Sequence, residues 1–260
     1  MKEFGSRILV LSPHPDDEVV GAAALIARAR AAGVEVWLWH MTTGVPAQET
    51  MWPWQRAGHA DRVARRRAEA KAVAQEMGCR IAGFSDRPTR SLRLNLSAAR
   101  TELSRFLHND AIDAVWVPAY EGGHSDHDAA NALASVFKNT VSIFEFAEYN
   151  FVGSTIQSQM FVHPNGTETI LNLAPDDVAE KRRLLGFYPS EAGNLGYVDQ
   201  AREAIRPLAV YDYGKPPHEG KMFYQRFQWV PFRHPRIDWT TPEEVSADAV
   251  AFIDRQNGTD

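Results

Sequence analysis

The 260-residue sequence is almost free of cysteine. Cys79 stands alone, so no internal disulfide and no thiolate-rich zinc knuckle can form, and any metal must be held by histidine and carboxylate. A lone thiol suits a reducing compartment, and a cytoplasmic protein is the expectation. Long apolar runs are missing too: the first, Ile8 to Leu11, stops at Pro13 and His14, too short for a signal-peptide core or a membrane span. Neither sign of charge dominates. With 28 Lys and Arg against 33 Asp and Glu, interspersed to a net charge of -5, there is no broad basic face for nucleic acid and no polybasic membrane anchor. No Gly-x-Gly-x-x-Gly follows the first strand-like run, which argues against a dinucleotide-binding module. No Gly-rich phosphate cradle is present, which weakens a phosphohydrolase reading. Internal repeats and low-complexity tracts are also absent.

What is present is alternation. Strand-like segments at 8–11, 35–41, 80–83, 114–118 and 141–147 are separated by helix-like ones at 19–32, 61–77, 97–108 and 129–137. This rhythm predicts an α/β fold: a Rossmann-like, mainly parallel sheet with helices on both faces. The length is compatible with a single domain over residues 1–260. After Tyr149 the rhythm breaks into a hairpin about Asn165-Gly166, a helix over 175–187 and a Pro- and aromatic-rich tail over 207–239. Residues from about 150 to 240 are expected to form a C-terminal cap or pocket wall on the same domain, and the chain beyond Asp254 to be loose.

Two clusters carry chemistry. His14-Pro15-Asp16-Asp17-Glu18 follows the first strand-like run, and His124-Ser125-Asp126-His127-Asp128 follows Ala114-Val115-Trp116-Val117-Pro118. Ligands of open α/β sheets bind outside the carboxyl ends of the strands, so both clusters belong on one edge. Either alone can be read as a helix cap, the acids favouring the positive end of the following helix. Three imidazoles and several carboxylates at two junctions that the fold makes neighbours point instead to a metal site. Asp16 and Asp17 can divide the labour, one binding the ion while the other accepts a proton. Spacing alone does not say whether His124 or His127 is the ligand, and Asp126 can either fix a tautomer or favour an imidazolium.

The Pro-His-Pro-Asp-Asp-Glu and His-x-Asp-His pair resembles the motifs of the zinc-dependent N-deacetylases of the PIG-L/LmbE-like family. Arg66-Arg67-Ala68-Glu69-Ala70, Phe144-Glu145-Phe146-Ala147-Glu148-Tyr149 and Lys181-Arg182-Arg183 extend the likeness. The resemblance implies an LmbE-like fold, with Zn2+ held by His14, Asp17 and His127. It also implies Asp16 as general base, and His124 steadying the oxyanion with Asp126 holding its imidazole. The implied reaction removes acetate from a small-molecule N-acetylated amino sugar of N-acetylglucosamine type, or from a glycoconjugate of it. A His/His/Asp site also accepts iron, cobalt or nickel. Ser125 replaces the family's usual proline, and Gly122 stands where some relatives place a catalytic tyrosine. Either Tyr120 or Glu121 takes over its contacts, or the step proceeds without it. Arg66, Trp52 with Trp54, and His218 are candidate substrate contacts. A metal-dependent hydratase or lyase on the same architecture is the alternative, against which Asp16 speaks. Self-association stays open.

Overall fold

The computed structural model describes residues 4–229, 232–234 and 236–258. Inside its sheet lies β1 (Arg7–Ser12), flanked on both sides, whose residues from Ile8 onward are all buried. That is what a continuous apolar run becomes when a parallel strand is covered on both faces. On one side follow β2 (Glu35–His40) and β3 (Arg80–Phe84). On the other come β4 (Ala114–Pro118), β5 (Ser142–Phe146), β9 (Arg202–Pro207) and β8 (Thr169–Asn172), in the order β3-β2-β1-β4-β5-β9-β8. The first five strands run parallel, with Val10 beside Leu38 and Trp116. β9 runs antiparallel to them, and β8 pairs antiparallel with β9. The mainly parallel α/β sheet agrees with the sequence rhythm, and the antiparallel edge is an addition to it.

Alternation along β1 divides the core. Leu9 and Leu11 meet Leu103 and Phe106 of α3 (Leu96–Asn109), Leu133 of α4 (Ser125–Ser135) and Phe252 of α6 (Pro242–Asn257). Ile8 and Val10 point to the opposite face, against Leu25 and Ile26 of α1 (Asp17–Ala31) and Ala74 of α2 (His59–Glu76). Helices therefore cover both faces, as the period-two side-chain geometry of a strand requires. No helix among the described residues is long and apolar enough to cross a membrane.

Helix α1 is broken at Ala22 (φ -143°, ψ 17°), and an interruption of this kind strands backbone polar groups that burial makes costly. Side chains from the second half of the chain satisfy them. Glu203 on β9 accepts the Ala24 and Leu25 N–H groups at 3.1 and 2.9 Å. The Val20 carbonyl accepts from Gln159 at 2.6 Å and from Lys181 of α5 (Pro175–Leu185) at 2.9 Å. Lys181 and Glu203 then pair with each other at 2.8 Å, both buried. Gly21 belongs to the same arrangement, because a Cβ there would run into the Phe146 ring.

Three expectations change. Asn165-Gly166 forms a turn, with Gly166 at φ 85°, but it joins no paired strands: β7 (Gln157–Ser158) pairs with β6 (Tyr149–Asn150), and β8 with β9. The end of the chain is not loose at Asp254, because α6 continues to Asn257 with Thr241 capping its start. Strands β8 and β9 complete the sheet where only a wall was expected. Of the aromatic tail, Val230, Pro231 and Pro235 lie outside the described residues.

Candidate functional site

Strand order reverses between β1 and β4: the chain builds outward through β2 and β3, then returns to start β4 on β1's other side. Their carboxyl ends meet at this switch point, the place where ligands of open α/β sheets sit. The two clusters occupy those two ends. Asp16 takes the N-cap position of α1, but its side chain makes no capping bond. Its φ of 136° lies in a region that favours glycine, the kind of strain that collects at functional sites. Asp17 accepts the His14 N–H at 2.6 Å. On the other side, the His124 ring caps α4 by accepting the Asp126 N–H at 3.0 Å.

This folding brings His14, Asp17 and His127 together, all buried. His127 Nε2 lies 3.2 Å from His14 Nδ1 and 3.3 Å from one Asp17 oxygen, and the other Asp17 oxygen is 3.4 Å from His14 Nδ1. Donors bonded tetrahedrally at about 2.0–2.1 Å stand roughly 3.3–3.4 Å apart; each pair of these groups meets near that distance, the two imidazoles through different Asp17 oxygens, and one donor atom from each of the three lies within 4.8 Å of the others. The donor set fits as well. His14 Nε2 faces Asp126 at 3.0 Å, a carboxylate–histidine contact that puts the ring proton on Nε2 and leaves the Nδ1 lone pair free for an ion. His127 Nδ1 points at the buried carboxylate of Glu148, 3.8 Å away.

The expected role of Asp126 changes accordingly. It was expected to hold the His124 imidazole, yet its carboxylate stands 3.7 Å from His124 Nδ1 and serves His14 instead. The same carboxylate accepts the Arg90 and Leu92 N–H groups at 2.6 and 3.0 Å and the Thr89 hydroxyl at 3.1 Å. The reason is geometric: His124 Nδ1 is already turned to the Asp126 backbone, so the side chain is free to reach across to the first cluster. Burial and the nearby His14 hold the His124 imidazole well below its usual range. It is thus a neutral ring with its proton on Nε2 rather than an imidazolium.

The carboxylates divide as their surroundings dictate. Burial lifts Asp16 well above the ordinary carboxylate range, with Arg66 pulling the other way and Asp17 adding to the rise. Asp17 ends well below that range, because His127 and His14 outweigh its burial. Burial also pushes the His14 imidazole down, but Asp17 and Asp126 overcome this and raise it to about 10 in the absence of an ion. Two neighbouring acids with opposed proton affinities are the mark of separate roles.

Arg66 is not free to hold a sugar. It is buried, 3.4 Å from Asp16 and 3.2 Å from Glu191, with the Tyr188 ring beside it. Trp52 is half-buried between Trp54, His234 and Arg236, and it is Trp54 that is exposed. His218 is buried against Gly122. Gly122 itself has φ 71°, and a Cβ there would strike Met222, so no tyrosine fits this position. Tyr120 and Glu121 do not replace one either. The Tyr120 hydroxyl donates to the Lys215 carbonyl at 2.7 Å, and Glu121 accepts the Glu148 and Tyr149 N–H groups at 2.8 and 3.0 Å.

Several participants were not singled out from the sequence. Glu18 gathers the hydroxyls of Tyr188 and Ser12 with the Asp16 N–H, tying the strained turn to the core. Thr89 bridges His14 and Asp126. Tyr149 stands edge-on to His127, with ring centroids 5.5 Å apart, and Tyr197 packs against it. Glu148 was visible only as part of a family-like fragment, and nothing in its spacing marked it as facing a histidine.

A family profile described as PIG-L: GlcNAc-PI de-N-acetylase matches residues 9–137, a stretch that includes both clusters. None of the curated proteins matches the chain. Among solved structures, a deacetylase–bog complex from the biosynthesis pathway of teicoplanin is similar, with a TM-score of 0.64 and 18% identity over 79% of this chain and 99% of that one. The zinc-inhibited form of a teicoplanin deacetylase gives 0.62 and 17% over the same shares, 79% and 99%. The N,N'-diacetylchitobiose deacetylase from Pyrococcus horikoshii gives 0.54 and 21% over 73% and 72%. At these identities the likeness is one of fold, and the fold is that of the LmbE-like deacetylases.

Proposed function

We propose, for a chain that belongs over residues 9–137 to the PIG-L (GlcNAc-PI de-N-acetylase) family, the zinc-dependent removal of an acetyl group from an N-acetylated amino sugar or a conjugate of it. The observation that carries the proposal is the triangle of His14, Asp17 and His127 donor atoms, with the proton-avid carboxyl of Asp16 next in sequence to one of them. Zinc suits a His/His/Asp set, and when bound it supplies a readily ionised water and polarises an acetamide carbonyl.

The chain's own residues do the rest. Asp126 keeps the His14 proton on Nε2, so Nδ1 remains a ligand. Asp16, raised in proton affinity by burial and kept in place by Arg66, takes a proton from the attacking water and returns one to the departing amine. His124, neutral with Nε2–H, donates to the acetamide oxygen as charge gathers there, which needs no imidazolium. Tyr149 and Tyr197 wall the site beside His127 and limit access of bulk water. The neighbouring deacetylases named above act in teicoplanin biosynthesis or on diacetylchitobiose, which supports an acetylated amino sugar as the reacting unit here.

The test is acetate release from N-acetylglucosamine conjugates by the metal-stripped protein before and after zinc is restored. Zinc should restore release in the parent but not in Asp16→Asn. An Asp16→Asn protein that binds zinc and still turns over at the parental rate would remove Asp16 from the mechanism, and a parent that hydrates an unsaturated acid without releasing acetate would replace the deacetylase by a hydratase.

A further inference from the structure

The segment from Lys221 to Trp239 is fastened at both ends to the candidate site. Near its start, the Phe223 N–H donates to the Gly122 carbonyl at 2.9 Å, and the Phe223 ring packs on Tyr149. Near its end, Asp238 pairs with Arg90 at 3.4 Å, and the Arg90 N–H is a donor to Asp126. The described residues between these anchors make up a strap tied to the candidate site at both ends.

Its composition is unlike that of the chain as a whole. Lys221, Arg226, Arg233 and Arg236 are joined by no acid before Asp238, in a protein whose acids outnumber its Lys and Arg by 33 to 28. Asp238 is already paired, and among the described residues none of the four cations is bridged to a carboxylate. Aromatic rings alternate with them. Phe227, Trp229 and Phe232 are 55%, 72% and 60% exposed, and Trp54 is 74% exposed. These four include every strongly exposed Trp or Phe among the described residues. Trp54 joins the strap through Trp52, on which it lies nearly flat, with centroids 5.2 Å apart and planes at 12°. Trp52 in turn meets His234 and the Arg236 guanidinium.

Such exposure works against a purely structural role, since a ring that only packs is buried by what it packs on. The Trp54 indole is a broad plane backed by Trp52, the shape that takes the C–H face of a sugar ring. Guanidinium groups stacked on rings, as Arg226 is on Phe151 and Phe223, keep their N–H edges free to grip carboxylates bidentately. We propose that the strap and Trp54 together form a second binding surface, for an acidic saccharide chain that extends the substrate beyond the acetylated residue held at the metal-ligand cluster. This rests on the deacetylase reading and narrows its substrate class to acidic oligosaccharides.

The experiment reads binding apart from turnover. Tryptophan fluorescence of the full chain is titrated with a tetrasaccharide of alternating glucuronate and N-acetylglucosamine, with neutral N-acetylchitotetraose, and with anionic phospholipid vesicles. The acidic tetrasaccharide should bind about tenfold tighter than the neutral one, the equivalent of one good charge-assisted contact. Arg233→Gln should abolish the preference while its unfolding transition and its acetate release from monomeric N-acetylglucosamine stay at the parental level, and Trp54→Ala should weaken both sugars with an unchanged unfolding transition. Equal binding of the two tetrasaccharides, an unchanged preference in Arg233→Gln, or binding to vesicles alone would overturn the proposal. Acetate release without any saccharide preference would sink this surface and leave the deacetylase standing, whereas preferential binding without acetate release would do the reverse.

Discussion

Asp126→Asn tests the reassignment of that carboxylate most directly. In the parent it accepts from Arg90 N–H, Leu92 N–H, the Thr89 hydroxyl and His14 Nε2 at 2.6, 3.0, 3.1 and 3.0 Å. An amide offers one acceptor oxygen where the carboxylate offered two. If that oxygen stays toward Arg90 and His14, the new NH2 confronts the Leu92 N–H. If it turns toward Leu92, the NH2 confronts Arg90, and His14 can stay bonded only by moving its proton to Nδ1, the atom proposed to bind the ion. Each orientation leaves a buried donor unpaired, at about 1–3 kcal/mol. Loss of a carboxylate partner to a ligating histidine lowers metal affinity by about 10–100-fold. Competition with a chromophoric chelator measures the affinity, and denaturant unfolding measures the stability. His124→Gln is the control, expected to lose turnover while keeping the parental metal affinity. If Asp126 instead served His124, the two variants would share one phenotype, turnover lost and zinc affinity intact, and that result refutes the reasoning.

Lys181→Met should be severe, because it leaves the Glu203 carboxylate buried without its cation; a cost of about 3–5 kcal/mol is expected in denaturant unfolding. Asp16→Asn should lower acetate release by about 10²–10⁴-fold, with zinc content unchanged by elemental analysis. In chelator-stripped protein, His14 is raised from 6.5 to about 10 by its carboxylate neighbours despite burial. The folded state therefore favours the imidazolium, so its stabilisation is full below about pH 6.5 and fades as pH rises toward 10. Unfolding measured across that range should show a decline that zinc removes, because zinc displaces the proton from Nδ1; an apoprotein equally stable at pH 6 and pH 10 contradicts this.

The parallel part of the sheet was legible because buried parallel strands read as short apolar runs between helix-like segments, and both clusters sat where such strands end. Strands β8 and β9 were not, because neither advertises burial. Leu171 is the only half-buried residue of Thr169–Asn172, and Glu203 and Arg206 interrupt β9 with charges that the structure pairs internally. Helix α6 lies outside the elements expected from the sequence, although Thr241-Pro242-Glu243-Glu244 is a capping box with proline at the first turn. Within the site, the residue types were readable and the partnerships were not. That Asp126 reaches His14 rather than His124, and that Arg66 is committed to Asp16, depends on how two distant turns meet, which local spacing does not encode.

Asp16 keeps its backbone in a conformation that glycine would occupy without strain. Replacement by glycine should therefore relax the backbone of the turn, while deleting the carboxyl to which the proposed mechanism gives proton transfer. At this position backbone ease and turnover pull in opposite directions. A selection for an unstrained turn alone would drift toward an inert protein, and only a screen that also demands product would hold the aspartate in place.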